Sequence, residues 1–122
     1  MPMLKHFSQL SVWEKADALA HQTFDVTDTF PRVHAFDLTN QLRRAALSVP
    51  TNLVEGSASP HPKELLQFIN IARRSARETQ YLLLFTLRRE LITSTTHQTL
   101  NVAYEEVLRM LNGLTRSLKS PR

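Results

Sequence analysis

Apolar residues recur every three or four positions in four stretches of the chain, and each stretch predicts a helix with one buried face. In the first, Val12, Ala16, Leu19, Thr23, Val26 and Phe30 carry the repeat, and Trp13, Ala20 and Phe24 widen the stripe. Ser8 or Ser11 suits its N-cap and Pro31 its end. The second helix is expected to start near Asp37 as N-cap, to bury Leu38, Leu42, Ala45, Val49 and Leu53, and to end near Gly56. Pro50 lies inside it, where the ring removes a backbone donor and crowds the carbonyl four residues earlier, so a bend is expected. The third, from about Pro62 to Glu90, places Leu65, Ile69, Ala72, Ala76, Leu83 and Leu87 on one stripe, with Phe68, Ile71, Leu82 and Phe85 beside it. The hydroxyls between Thr93 and Gln98 cap the fourth, which follows Leu100, Ala103, Val107, Leu111, Leu114 and Leu118 and frays after Lys119.

The stretch Gly56 to Pro62 is built of turn-formers and reads as a loop rather than a domain boundary. Short connections force successive helices to reverse direction, so the expected architecture is an all-α, antiparallel up-and-down four-helix bundle. It forms a single domain over residues 1–122, with an ordered core over about 7–118. A chain of 122 residues is long enough to bury roughly two thirds of its unfolded surface.

Composition narrows the chemistry. Cysteine is absent, so stability comes from packing, and thiolate nucleophiles and thiolate metal sites are excluded. Only Gly56 and Gly113 are available for glycine-rich phosphate loops, which disfavours a nucleotide-binding fold. No apolar run approaches the ~20 residues that span a bilayer, and the N-terminus lacks an apolar signal segment. A cytoplasmic protein with no membrane contact is expected. His6, His21, His34, His61 and His97 fall in different segments, without helical metal-ligand spacing. Glu105 and Glu106 are adjacent and diverge by about 100° on a helix, so they do not converge on one substrate. The expectation is a protein with no catalytic residues, no metal and no cofactor.

The formal charge is +4, unevenly spread: residues 1–40 carry three Lys/Arg against five Asp/Glu, whereas residues 41–89 carry eight against three. A basic middle favours an anionic partner through counterion release. In the third helix Arg73, Arg74 and Arg77 lie within about two turns, and Arg88 and Arg89 follow about three turns later. These five are the candidate nucleic-acid contacts, with Tyr81 one turn beyond Arg77 as a stacking surface. The plainer reading is that the arginines pair with Glu78, Glu55 or Glu90 and merely solvate the helix. In the second helix Gln41, Arg44, Ser48, Asn52 and Glu55 recur at spacings of three and four, with Arg43, Ala45 and Ala46 alongside. They make either a solvated face or a hydrogen-bonded seam against another helix, in which Glu55 meets an arginine and fixes register.

The residues Phe7, Leu10, Val12, Trp13, Ala16 and Leu19, and above all Gln41-Leu42-Arg43-Arg44-Ala45-Ala46 followed by Ser48, Asn52, Glu55 and Gly56, resemble the four-helix-bundle family of 23S rRNA intervening sequence proteins. Phe68, Ala72, Ser75, Glu78 and Thr79 extend the resemblance, which covers about Phe7 to Leu118. It implies a homo-oligomer, a ring-like pentamer with a central channel and a basic surface. Related accessory proteins of diversity-generating retroelements imply a reverse transcriptase and its RNA as partners. It also casts Arg43, Arg44, Ser48, Asn52 and Glu55 as helix-contact residues, leaving the third helix for RNA or DNA. The leading expectation is therefore a non-enzymatic oligomeric scaffold that binds nucleic acid, and the alternative is a protein-interaction adaptor that does not.

Overall fold

A computed structural model describes Phe7 and residues 10–120. Four helices form a bundle: α1 Ser11–Thr27, α2 Asn40–Ser57, α3 Pro62–Arg88 and α4 Ser94–Lys119. A 3-10 turn, Arg32–His34, and a π-helical turn, Ala35–Thr39, join α1 to α2. The pairing Gln41 with Glu78, Ser48 with Ser75 and Gly56 with Leu65 runs α2 antiparallel to α3. Arg73 with Asn112 and Gln80 with Asn101 does the same for α3 and α4. Helix α1 closes the bundle against both α2 and α4.

The helical stripes meet in one core that includes Ala16, Leu19, Leu42, Leu53, Ile69, Ala76, Leu83 and Leu111. The α2–α3 contact is the most extensive. It is tight at Gly56, where an added Cβ would lie 2.8 Å from Phe68 Cβ and 2.9 Å from Leu65 Cδ1. Opposite it, Tyr104 of α4 is fully buried with its hydroxyl 3.3 Å from Thr23 Oγ1 of α1. Thr23 donates to the Leu19 carbonyl, so the Tyr104 hydroxyl is the donor to Thr23. No described helix is long and apolar enough to cross a membrane.

Three boundaries differ from the sequence-based expectation. Leu10 occupies the N-cap of α1 and Ser11 is its first residue, with no side-chain cap; Ser8 lies outside the described residues, as do residues 121–122 of the tail. Asp37 does not cap α2. It lies within the π-helical turn, its carboxylate accepting from the Leu38 amide and standing 3.7 Å from His34 Nδ1. The wider turn buries Leu38 and Thr39 just ahead of α2. At the far end of α3 Glu90 adopts φ 59°, and the Glu90 and Leu91 amides donate to the carbonyls of Leu87 and Thr86, the two bonds of a Schellman cap. Thr93 caps α4 as expected, its hydroxyl accepting from the Thr96 amide at 3.1 Å. Helix α2 runs through Pro50 as one element, with Pro50 buried and the Ala46 carbonyl deprived of its usual backbone donor.

Candidate functional site

The polar strip of α2 divides between two faces. Arg43 turns to α1: its guanidinium donates to Thr27 Oγ1 at 2.6 Å and to Asp28 Oδ1 at 2.5 Å, and lies 4.9 Å above the Phe24 ring. It anchors the end of α1 and takes no part in a seam with α3. The seam itself forms from smaller groups. Ser48 Oγ is 2.8 Å from Ser75 Oγ, Asn52 Nδ2 donates to the Ser48 carbonyl and hydroxyl, and Gln41 Nε2 donates to Glu78 at 3.3 Å.

Glu55 meets no arginine of α3. Among the described residues neither Arg44 nor Glu55 makes an ion pair, and both are exposed. The physical reason is register: the antiparallel contact sets Ser48 against Ser75 and Gly56 against Leu65 and Phe68, so Glu55 lies level with a part of α3 that holds no arginine, while Arg73 and Arg77 reach Asn112 and Glu105 of α4. Arg44 and Glu55 instead border an open groove of about 840 Å³ whose lining also includes Phe36, Leu47, Ser48 and Thr51. Phe36 is 94% exposed, and Val33 and Leu47 are 78% and 50% exposed.

The candidate arginines of α3 separate into two groups. Arg73, Arg74 and Arg77 line one groove of about 450 Å³ with Leu108 and Asn112 of α4. Two of them are held from within the chain. Arg73 donates to Asn112 Oδ1 at 3.2 Å and Asn70 Oδ1 at 2.7 Å, and Arg77 donates to Gln80 Oε1 and Glu105 Oε2, both at 2.9 Å. The Gln80 amide reaches the same Glu105 oxygen at 2.6 Å. That hydrogen bond, with the Arg77 guanidinium adding to it against a smaller desolvation effect, holds the Glu105 carboxyl below its ordinary pKa. The carboxylate partner of Arg77 is thus on α4, and the sequence reading that named Glu78, Glu55 or Glu90 is corrected here. Arg74, Arg88 and Arg89 are exposed, with no ion pair among the described residues.

Tyr81 does not join the Arg73 groove. It stands with Phe85, ring centroids 6.4 Å apart, beside a second depression of about 390 Å³ bordered by His34, Leu38 and Arg89. Sequence reasoning did not single out Phe36, Asn112 or the Gln80–Glu105 pair, and it named Ser75 without finding its partner Ser48. Phe36 falls between two periodic stretches, and the others find their partners only across helices. Among the described residues no three His, Asp or Glu side chains gather as metal ligands.

The sequence profile of the family described as 23S rRNA-intervening sequence protein matches residues 8–113. A crystal structure described as a protein with unknown function from the S23 ribosomal protein family of Bacteroides thetaiotaomicron superposes with a TM-score of 0.80. It is 23% identical, and the match covers 86% of this chain and 95% of that one, a likeness that speaks for the fold. No curated protein sequence matches the chain.

Proposed function

The chain belongs to the 23S rRNA-intervening sequence protein family, and from that premise we propose that it is a non-enzymatic, self-assembling scaffold that binds the phosphate backbone of RNA or DNA through the outer face of α3. The observation that carries this reading is the row of arginines on that face. Arg74 and Arg88 are exposed and make no ion pair among the described residues, and Arg73 and Arg77 are held beside Arg74 by Asn112 and Glu105. Guanidinium groups fixed in this way lose little freedom on meeting phosphate oxygens, and assembly multiplies weak patches by avidity. The family's description links its members to 23S rRNA, which makes RNA the first polymer to try.

The test is binding of structured and single-stranded RNA, and of DNA, across a salt series, with wild type beside Arg74→Glu/Arg88→Glu. These two side chains are exposed and carry no internal contact that the fold needs. Affinity should fall steeply with salt, and the variant should lose affinity together with about one unit of log–log slope per phosphate contact removed. Salt-insensitive binding, or none by intact protein at low salt, overturns the reading. The adaptor alternative has one observation in its favour, the 94% exposure of Phe36, which suits a protein contact.

A further inference from the structure

We infer that the depression between α3 and the α1–α2 connection is a slot for one unpaired base, so that the α3 face takes single-stranded nucleic acid in preference to duplex. The inference rests on the phosphate-binding reading and deepens it, since it names the form of the polymer. Around the α3 axis Arg74, Tyr81, Phe85 and Arg88 fall within about 60° of one another, and all four are exposed. Arg74 and Arg88 stand about 21 Å apart along the axis, with the aromatic pair between them. Exposed rings flanked by guanidinium groups match an unpaired strand, whose bases stack on a π-face and whose phosphates meet cations.

Tyr81 is 58% exposed and Phe85 41%. Their ring centroids lie 6.4 Å apart and the ring planes are inclined by 55°, which leaves an open notch. A base laid flat on one ring meets the other ring towards its edge, and aromatic groups favour both arrangements. Beside the notch the depression of about 390 Å³ gives the base room, a volume within the range of small-ligand sites. Leu38 and Leu82, both buried, supply apolar lining, and His34, Asp37 and Gln41 place polar groups where the edge of a heterocycle needs donors and acceptors. Arg89 completes the rim and meets the phosphate of the seated nucleotide.

Charge points the same way. Arg74, Arg88 and Arg89 make no ion pair among the described residues. The nearby carboxylates are engaged: Asp37 accepts from the Leu38 amide and stands 3.7 Å from His34 Nδ1, and Glu78 accepts from Gln41 on the α2 side. Glu90 lies past the end of the helix. A duplex offers the same arginines its phosphates, but its bases are already stacked and paired, so Tyr81, Phe85 and the depression would stay uncovered.

The experiment measures affinity across a salt series for probes of about ten nucleotides, a length typical of single-strand sites. The probes are single-stranded RNA, single-stranded DNA, a matching hairpin duplex and an abasic strand with the same number of phosphates. Each is offered to the full chain as wild type, Tyr81→Leu/Phe85→Leu and Tyr81→Phe. Both positions are exposed, and far-UV circular dichroism confirms the fold of each variant. At least one of the two single strands should bind about tenfold or more tightly than the duplex and the abasic strand, and the comparison of RNA with DNA shows which polymer the slot takes. The leucine pair should lose about tenfold to a hundredfold in affinity for that strand, with its salt slope unchanged because no phosphate contact has gone. Tyr81→Phe keeps the ring and should bind as wild type does. Equal affinity for single and abasic strands, or full affinity in the leucine pair, overturns the inference and leaves the phosphate reading standing. Base-dependent binding without a salt slope overturns the phosphate reading and supports the slot, and no binding by intact protein at low salt overturns both.

Discussion

Ser48 of α2 and Ser75 of α3 share a hydrogen bond of 2.8 Å between their hydroxyls at the centre of the most extensive helix contact. Small side chains allow the close approach, and the mutual bond satisfies hydroxyls that the approach removes from water. Ser75→Leu should therefore destabilise the protein by about 1–3 kcal/mol, since the branched side chain meets Ser48 across the contact and can escape only by turning toward the open groove that Ser75 also borders. Ser48→Ala should cost only about 1 kcal/mol, because Asn52 keeps the Ser48 carbonyl as acceptor. Urea denaturation at neutral pH measures both, and equal effects would remove the argument from close approach.

Gly56 sets the other end of the same contact. Alanine ordinarily strengthens a helix interior by about 0.5–1 kcal/mol relative to glycine. Here its Cβ would meet Phe68 Cβ at 2.8 Å, an atom fixed to the α3 backbone that cannot swing away. The expected result for Gly56→Ala is net destabilisation of about 1–3 kcal/mol. A denaturation midpoint at or above that of wild type would show that α2 and α3 separate easily.

At Glu90 the sign reverses. Its φ of 59° lies in the left-handed region that glycine enters without penalty, and its side chain is exposed. Glu90→Gly should raise stability by about 1 kcal/mol while leaving the two capping bonds to Leu87 and Thr86 in place. A fall in melting temperature would mean that the carboxylate does something beyond tolerating the turn.

The helices were legible because burial selects every third or fourth residue, so Val12, Ala16 and Leu19, or Ile69, Ala72 and Ala76, declare a face without any partner being known. The site was less legible for a related reason. Arg43 and Arg44 are neighbours in sequence, yet about 100° of helix rotation sends one to Asp28 and leaves the other in solvent. Nothing in the sequence says which of the two faces α1. Arg77 finds Glu105 across 28 residues, a pairing fixed only once α3 and α4 are in register. Asp37 had the composition of an N-cap, but the π-helical turn around it follows from how the α1–α2 connection packs.

Tyr104 gives the fold a pH limit whose sign is determined by burial. Desolvation pushes its phenol up to about 12, with the Thr23 hydroxyl pulling the other way when it turns to donate to a phenolate. The unfolded chain ionises near pH 10, so it releases the proton first as pH rises, and the folded state loses ground between about pH 10 and 12. Below pH 10 that stabilisation is fully present. At complete ionisation the difference corresponds to roughly 2–3 kcal/mol. Tyr104→Phe removes the titrating group and one hydrogen bond; Thr23 retains its bond to Leu19, so the expected loss near neutral pH is only about 1 kcal/mol. Denaturation midpoints followed from pH 8 to 11.5 should fall more steeply for wild type than for Tyr104→Phe, the two curves crossing at about pH 11 because the linkage loss then exceeds the ~1 kcal/mol hydrogen-bond advantage. Parallel curves for wild type and Tyr104→Phe would show that the phenol is reached by water and that the α1–α4 contact is looser than its packing implies.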